Sequence, residues 1–98
     1  MVVAVERFDL RIAGSRSLKQ KRHVVKGLTA ALRQTFAVSV AEVDHQDLWQ
    51  RSTIAVAAVG PDQHQLRRVM QAVARRVDAW AEVEVIDRDL QVWWPEDE

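Results

Sequence analysis

The chain has no cysteine, which excludes disulfide frameworks, cysteine zinc sites and thiol chemistry together. Glycine and proline are scarce, at three and two residues, and act only as punctuation. No linker, repeat or low-complexity tract interrupts the sequence. Long apolar runs are missing as well: the longest, Ile54 to Gly60, is far too short to cross a bilayer. No basic-then-apolar leader opens the chain, so a cytoplasmic location with no membrane partner is expected. The second glycine and the Gly-Lys-Ser/Thr triplet of a P-loop are absent, which weighs against nucleotide hydrolysis.

What is present is a globular composition, 48 % apolar and 29 % charged over 98 residues. A chain of this length forms one domain and buries roughly 60–70 % of its unfolded surface. The expected division is one domain over 1–94 followed by an acidic tail over 95–98. Fourteen basic residues balance fourteen acidic ones, but the balance is an average over unequal parts. Through Gln34 there are eight Lys/Arg and two Asp/Glu, a net of +6, whereas from Val77 onward one Arg faces eight acids, a net of −7.

Hydrophobic periodicity alternates between 2 and 3.6. Within Val2–Ile12, Phe8, Leu10 and Ile12 share one face and Arg7, Asp9 and Arg11 the other, a half-buried strand that Gly14 stops. Glu6 has the parity of the core residues. A lone buried carboxylate is costly, so it must meet an arginine or be turned outward by a bulge. Ser17 with Gln20 reads as a capping box opening a helix whose stripe is Leu18, Val25, Leu28 and Leu32. Gly27 within that helix suggests close packing. Phe36–Val43 reads as a second strand, Asp44-His45-Gln46-Asp47 as a turn and Thr53–Val59 as a buried strand. Asp62, with Gln65 as box partner, opens a second helix with the stripe Leu66, Val69, Met70, Val73, Val77 and Trp80. Arg67, Arg68, Arg75 and Arg76 lie on its outer side, where basic residues are usually just solvated. Val83–Val92 is the last strand.

This order predicts an α+β fold, the ferredoxin-like βαββαβ sandwich: a four-stranded antiparallel sheet in order 4-1-3-2 with two helices on one face. Taking the two central strands, the first and third, to run the same way puts both helix starts at one rim. The hairpin Asp44–Trp49 and the pair Trp93-Trp94 then share the opposite rim, roughly 23 Å away.

Two clusters stand out. Ser15, Arg16, Ser17, Lys19, Lys21, Arg22 and Lys26 at the first helix start form a candidate anion- or RNA-binding seat, because unpaired N–H groups and cations favour phosphate there. The bland alternative is a solvated turn in which Ser17 only caps. Asp44, His45, Asp47, Trp49, Trp93 and Trp94 are interface candidates, since neighbouring indoles exceed what a small core can hold. Asp-His-x-Asp could supply acid–base or metal groups, but three residues of one turn rarely complete a coordination sphere. No catalytic residue, metal or cofactor is therefore expected. The uncovered sheet face shows Arg7, Asp9 and Arg11, which is no aromatic platform for stacking bases.

The segments Gly14-Ser15-Arg16-Ser17-Leu18-Lys19-Gln20-Lys21-Arg22, Val24-Val25-Lys26 and Val38 through Arg51 (VSVAEVDHQDLWQR) resemble the two signatures of the YlxP-like family. This is a family of small bacterial proteins classed as a domain of unknown function. The resemblance covers Met1 to about Val92. It implies a ferredoxin-like fold, no established activity, and a role linked to RNA or ribosomes, because members are often encoded among genes for transcription elongation, translation initiation and ribosome maturation. Glu6, where an apolar residue is usual, and the tail Trp93-Trp94-Pro95-Glu96-Asp97-Glu98 depart from the family pattern. The function expected from residues and resemblance together is that of a non-enzymatic accessory protein, its partner RNA backbone or a ribosomal particle. The alternative is a homo-oligomer in which the acidic end of one chain meets the basic start of another, and an enzyme built on the Asp-His-x-Asp hairpin ranks third.

Overall fold

The period-2 pattern at the chain's start is realised residue by residue. In β1 (Val2–Arg11), Val2, Ala4, Glu6, Phe8 and Leu10 are buried, while Val3, Val5, Arg7 and Asp9 are half-exposed on the other face. The computed structural model describes residues 1–97; Glu98, the last residue of the expected acidic tail, lies outside them. Along the chain follow α1 (Leu18–Thr35), β2 (Ser39–Asp44), β3 (Arg51–Gly60), α2 (Gln63–Asp78), β4 (Glu84–Trp93) and a single 3₁₀ turn at Pro95–Asp97. The sheet order is β2-β3-β1-β4, and every neighbouring pair is antiparallel. This is the expected ferredoxin-like sandwich. No helix among the described residues is long and apolar enough to cross a membrane.

Both helices cover the sheet face that carries Phe8, Leu10, Ile54 and Val56, and Leu28, Leu32, Met70, Val73 and Val77 complete the core. Ser17 caps α1 by accepting from Gln20 N at 3.1 Å, but Gln20 Oε1 accepts from Arg16 N at 2.6 Å, so the reciprocal bond falls one residue outside the usual box. At α2, Asp62 accepts from His64 N at 3.0 Å, and this shorter reach leaves the expected Gln65 partner without a capping role. The second strand begins at Ser39 and not at Phe36, because Phe36 closes α1 with a backbone bond to Leu32 O at 2.9 Å. Gly27 is not crowded. A Cβ added there would meet Trp80 Cζ2 at 3.5 Å, an ordinary contact.

One expectation is overturned, with consequences for the site. β1 and β3 are antiparallel, with Arg11 opposite Arg51 and Val2 opposite Gly60. The crossover through α1 makes β1 and β2 run the same way, and the β2–β3 hairpin then reverses β3. The end of β1 therefore lies beside the start of β3, so the loop Ala13–Ser17 and the hairpin loop 45–50 occupy one rim. The opposite rim holds Gly60–Asp62, the start of β1 and Trp93, which pairs with Val3.

Candidate functional site

The convergence at the first rim is built by three sets of bonds. Ile12 N donates to Gln50 O at 2.9 Å, and Gln50 Nε2 donates to Ala13 O at 3.3 Å and Ser15 O at 3.1 Å. From α1, Lys21 Nζ reaches across to His45 O at 2.8 Å, Gln46 O at 3.0 Å and, more weakly, Arg51 O at 3.4 Å. The same ammonium pairs with Glu42 Oε2 at 2.8 Å, and Glu42 also accepts from Ser52 Oγ at 2.6 Å. Lys21 has no solvent exposure at all. A charge so enclosed survives only when it is paired and fully hydrogen-bonded, and here it ties the hairpin loop to the helix.

The expected anion seat is accordingly thinned. Lys21 faces inward, and Ser15 is buried with its hydroxyl donating to Ser17 O at 3.0 Å. The Ser17 hydroxyl is engaged by the cap. Arg16, Lys19, Arg22 and Lys26 remain exposed, with no ion-pair partner among the described residues. The first turn of α1 contains no acid, so Lys19 sits against the positive end of the helix dipole without compensation. A cleft of about 870 Å³ opens beside this turn, lined by Ser17, Lys19 and His23 together with Glu82, Glu84 and Arg11, the last two paired at 3.0 Å.

The hairpin residues are locally committed. Asp44 Oδ1 accepts from His45 N at 2.8 Å, and His45 takes the left-handed φ of 60° that the turn demands. His45 Nδ1 lies 2.8 Å from Thr53 Oγ1, which itself donates to Asp9 Oδ1 at 2.8 Å. Because the hydroxyl proton points at Asp9, the imidazole is the donor in the first of these bonds. Arg7 bridges Asp9 and Asp87, the latter at 3.1 Å. Partial burial opposes ionisation of Asp9, but the hydrogen bonds from Arg7 and Thr53 outweigh it and hold the carboxyl below its usual range. Among the described residues no group of three His, Asp or Glu side chains is placed to hold a metal. Asp47 is exposed, and Trp49 is 54 % exposed beside Leu48.

Trp93 and Trp94 do not join Trp49. They sit at the opposite rim, both half-buried, with Trp94 packed against the core. There Glu96 of the tail pairs with the Met1 amine, so part of the acidic end docks within its own chain. On the inner face of the sheet Glu6 is 3 % exposed, and the arginine it requires comes from β4: Arg88 Nε lies 3.5 Å from its carboxylate. Arg88 also approaches Asp78 at 4.0 Å. Burial dominates and pushes the Glu6 carboxyl above its ordinary value, with Arg88 pulling only partly the other way.

The residues that the sequence reading missed are Glu42, Gln50 and Arg51. A usable signal existed for the first. Lys21 falls on the same helical stripe as Leu18, Val25 and Leu28, and Glu42 has the inward parity of Val40, so each marks the other as a buried partner.

Sheet order, helix placement and strand directions define an α+β sandwich of the ferredoxin-like kind, and solved structures share it. The chain is similar to the de novo designed protein Foldit4, with a TM-score of 0.51 and 13 % identity over 96 % of this chain and 98 % of that one. It is similar to a mutant of SnoaB, a cofactor-independent oxygenase from Streptomyces nogalater, with a TM-score of 0.50 and 13 % identity over 95 % and 90 % of the two chains. At such identity these likenesses speak for the fold alone. Residues 3–90 match the family described as "Protein of unknown function (DUF503)", and the chain belongs to it. Among its relatives is the "Uncharacterized protein YlxP" of Bacillus subtilis (strain 168), 37 % identical over 68 residues that cover 69 % of this chain and 74 % of the relative.

Proposed function

We propose that the protein is a non-enzymatic accessory factor that holds RNA backbone, free or within a ribonucleoprotein, through the exposed cations at the start of α1. The observation that carries this is the set Arg16, Lys19, Arg22 and Lys26, all exposed and all without an ion-pair partner among the described residues. Cations in a first helical turn oppose the dipole, and phosphate relieves that opposition. Phosphate contacts release counterions, so affinity for RNA or ribosomal particles should fall steeply between about 50 and about 200 mM salt. The variant Arg16→Ala, Lys19→Ala, Arg22→Ala should lose about 2–3 from the slope of log K against log salt. A flat salt response, or unchanged binding by that variant, defeats the reading.

A second reading, association with another copy, is favoured by one specific feature. The uncovered sheet face divides into a charged end near the first rim and a mainly apolar end formed by Val3, Val5, Ala55, Ala57, Val59 and, by register, Trp93, flanked by the exposed Ser39 and Gln91. Val59 is 70 % exposed there. Contiguous apolar surface of this kind marks contacts between subunits. Sedimentation should then give a dimer mass for the parent and a monomer mass for Val59→Lys. A parent that sediments as a monomer at high concentration removes it.

A further inference from the structure

The charges of this molecule are sorted by layer. α1 and α2 together contain nine Lys/Arg and one acid, Asp78 at the last residue of α2. Lys21 is buried and paired; the other eight are exposed, and none has an ion-pair partner among the described residues. The sheet differs, for Arg7, Arg11 and Arg88 of β1 and β4 are each held by carboxylates, and Arg51 of β3 alone among the described sheet arginines has none. On α1 the cations Lys19, Arg22, Lys26 and Arg33 recur at intervals that keep them within one narrow stripe, about 21 Å long at 1.5 Å per residue, although Arg33 Nη2 also donates to Val40 O of β2 at 2.9 Å. On α2 Arg67, Arg68, Arg75 and Arg76 cover about 14 Å of the neighbouring helix. On α1 Arg22 lies three residues from Lys19 and four from Lys26, spacings at which like charges destabilise a helix, yet α1 contains no acid to relieve them.

We infer that the whole helical layer, and not the start of α1 alone, is a docking surface for the phosphate backbone of an RNA duplex. This rests on the RNA-binding reading above and extends it to α2. Two features select the partner. None of the exposed large apolar residues, Met1, Val43, Leu48, Trp49 and Val59, belongs to either helix, so the layer lacks the anchors that protein interfaces use. It exposes no aromatic platform either, and single strands are held by stacking on aromatics as much as by charge. A rigid array of cations spaced over two helices matches a duplex, whose phosphates stand at fixed positions and which proteins recognise largely by shape and backbone. The sheet face, with its paired arginines and with Asp87 and Asp89, is turned away from the nucleic acid.

The test titrates the full chain with a blunt RNA duplex of about 16 base pairs and with one of its strands, over a range of salt. The parent should bind the duplex at least tenfold more tightly than the strand. The variant Arg67→Gln, Arg68→Gln, Arg75→Gln, Arg76→Gln should lose about 3.6 from the salt slope for the duplex, and the matching Arg→Lys variant should keep it. These side chains make no ion pairs, so melting temperatures should hardly move; if the fourfold variant does not fold, Arg67→Gln with Arg68→Gln should lose about half as much slope. Parent-like duplex binding by the α2 variants, beside weakened binding by the α1 variant, overturns the two-helix surface and leaves the earlier reading standing. Equal affinity for strand and duplex overturns the choice of partner. If neither RNA binds the parent, both readings fall. Self-association of the parent that the α2 variant abolishes assigns the layer to a second copy and overturns the proposal.

Discussion

Replacing Lys21 with methionine is expected to lower stability by about 3 kcal/mol, the lower end for breaking a buried pair from one side. The ammonium is fully enclosed and satisfies the Glu42 carboxylate and the carbonyls of His45 and Gln46. Methionine fills a similar volume, so the loss measures charge and hydrogen bonding and not a cavity. Glu42 would keep only the Ser52 hydroxyl, but its 20 % exposure lets water reach it, which limits the cost. For a domain of this size the melting temperature should fall by roughly 12–24 °C. Amide exchange should accelerate first in the 45–50 loop, because the helix no longer holds it. Adding Glu42→Leu to Lys21→Met should recover much of the loss, since an apolar pair of similar shape avoids the unpaired carboxylate. A Lys21→Met protein that melts with the parent would mean that this lysine is solvated, and the rim would lose its tie.

The second large effect concerns Glu6 and Arg88, and its sign depends on pH. Burial raises the Glu6 carboxyl above its unfolded value of 4.5, so the folded chain binds more protons than the unfolded one in the interval just above that value. Stability attributable to Glu6 is thus fully present below 4.5 and is lost as pH rises through the folded value. Removing Arg88 takes away the one cation that opposes this shift. Arg88→Ala should therefore destabilise the protein at pH 7 by about 1–3 kcal/mol, discounted because the arginine is half exposed. The deficit should close as pH falls toward 4. Glu6→Gln should abolish that pH dependence and melt at or above the parent at pH 7. Asp9 works in the opposite direction: its lowered carboxyl contributes stability that disappears as pH falls through its folded value. Denaturant titrations of parent, Arg88→Ala and Glu6→Gln at several pH values decide the matter. An Arg88→Ala deficit that is constant with pH would show that Glu6 is not the group responding.

Much of the architecture was legible because local periodicity reports burial directly. Alternation in Val2–Arg11 matches the inward residues, the expected α2 stripe holds at Leu66, Met70, Val73 and Val77 while Trp80 lies beyond the helix end, and Ser17 and Asp62 cap as their side chains dictate. Glu6 could be told to need an arginine, but nothing local says which one. Arg88 lies beyond both helices in sequence and reaches Glu6 only because β4 pairs with β1. The eight exposed cations were visible as letters, while their lack of partners depends on where every carboxylate ends up.

The candidate site divides in the same way. Composition and spacing determined that a basic segment begins α1 and that an Asp- and Trp-bearing turn follows β2. That these two segments share a rim follows once the first and third strands are neighbours in an antiparallel sheet, for they must then run oppositely. Central strands running the same way are incompatible with that order; the tertiary structure decided which side chains meet on that rim. That single reversal brought Lys21 to the hairpin carbonyls, separated Trp49 from Trp93 and Trp94, and withdrew two members of the expected anion seat from solvent. Hydrophobic period acts over a few residues and is written in the chain; pairing across a sheet is set by which distant segments bury each other, and no short stretch of sequence contains it.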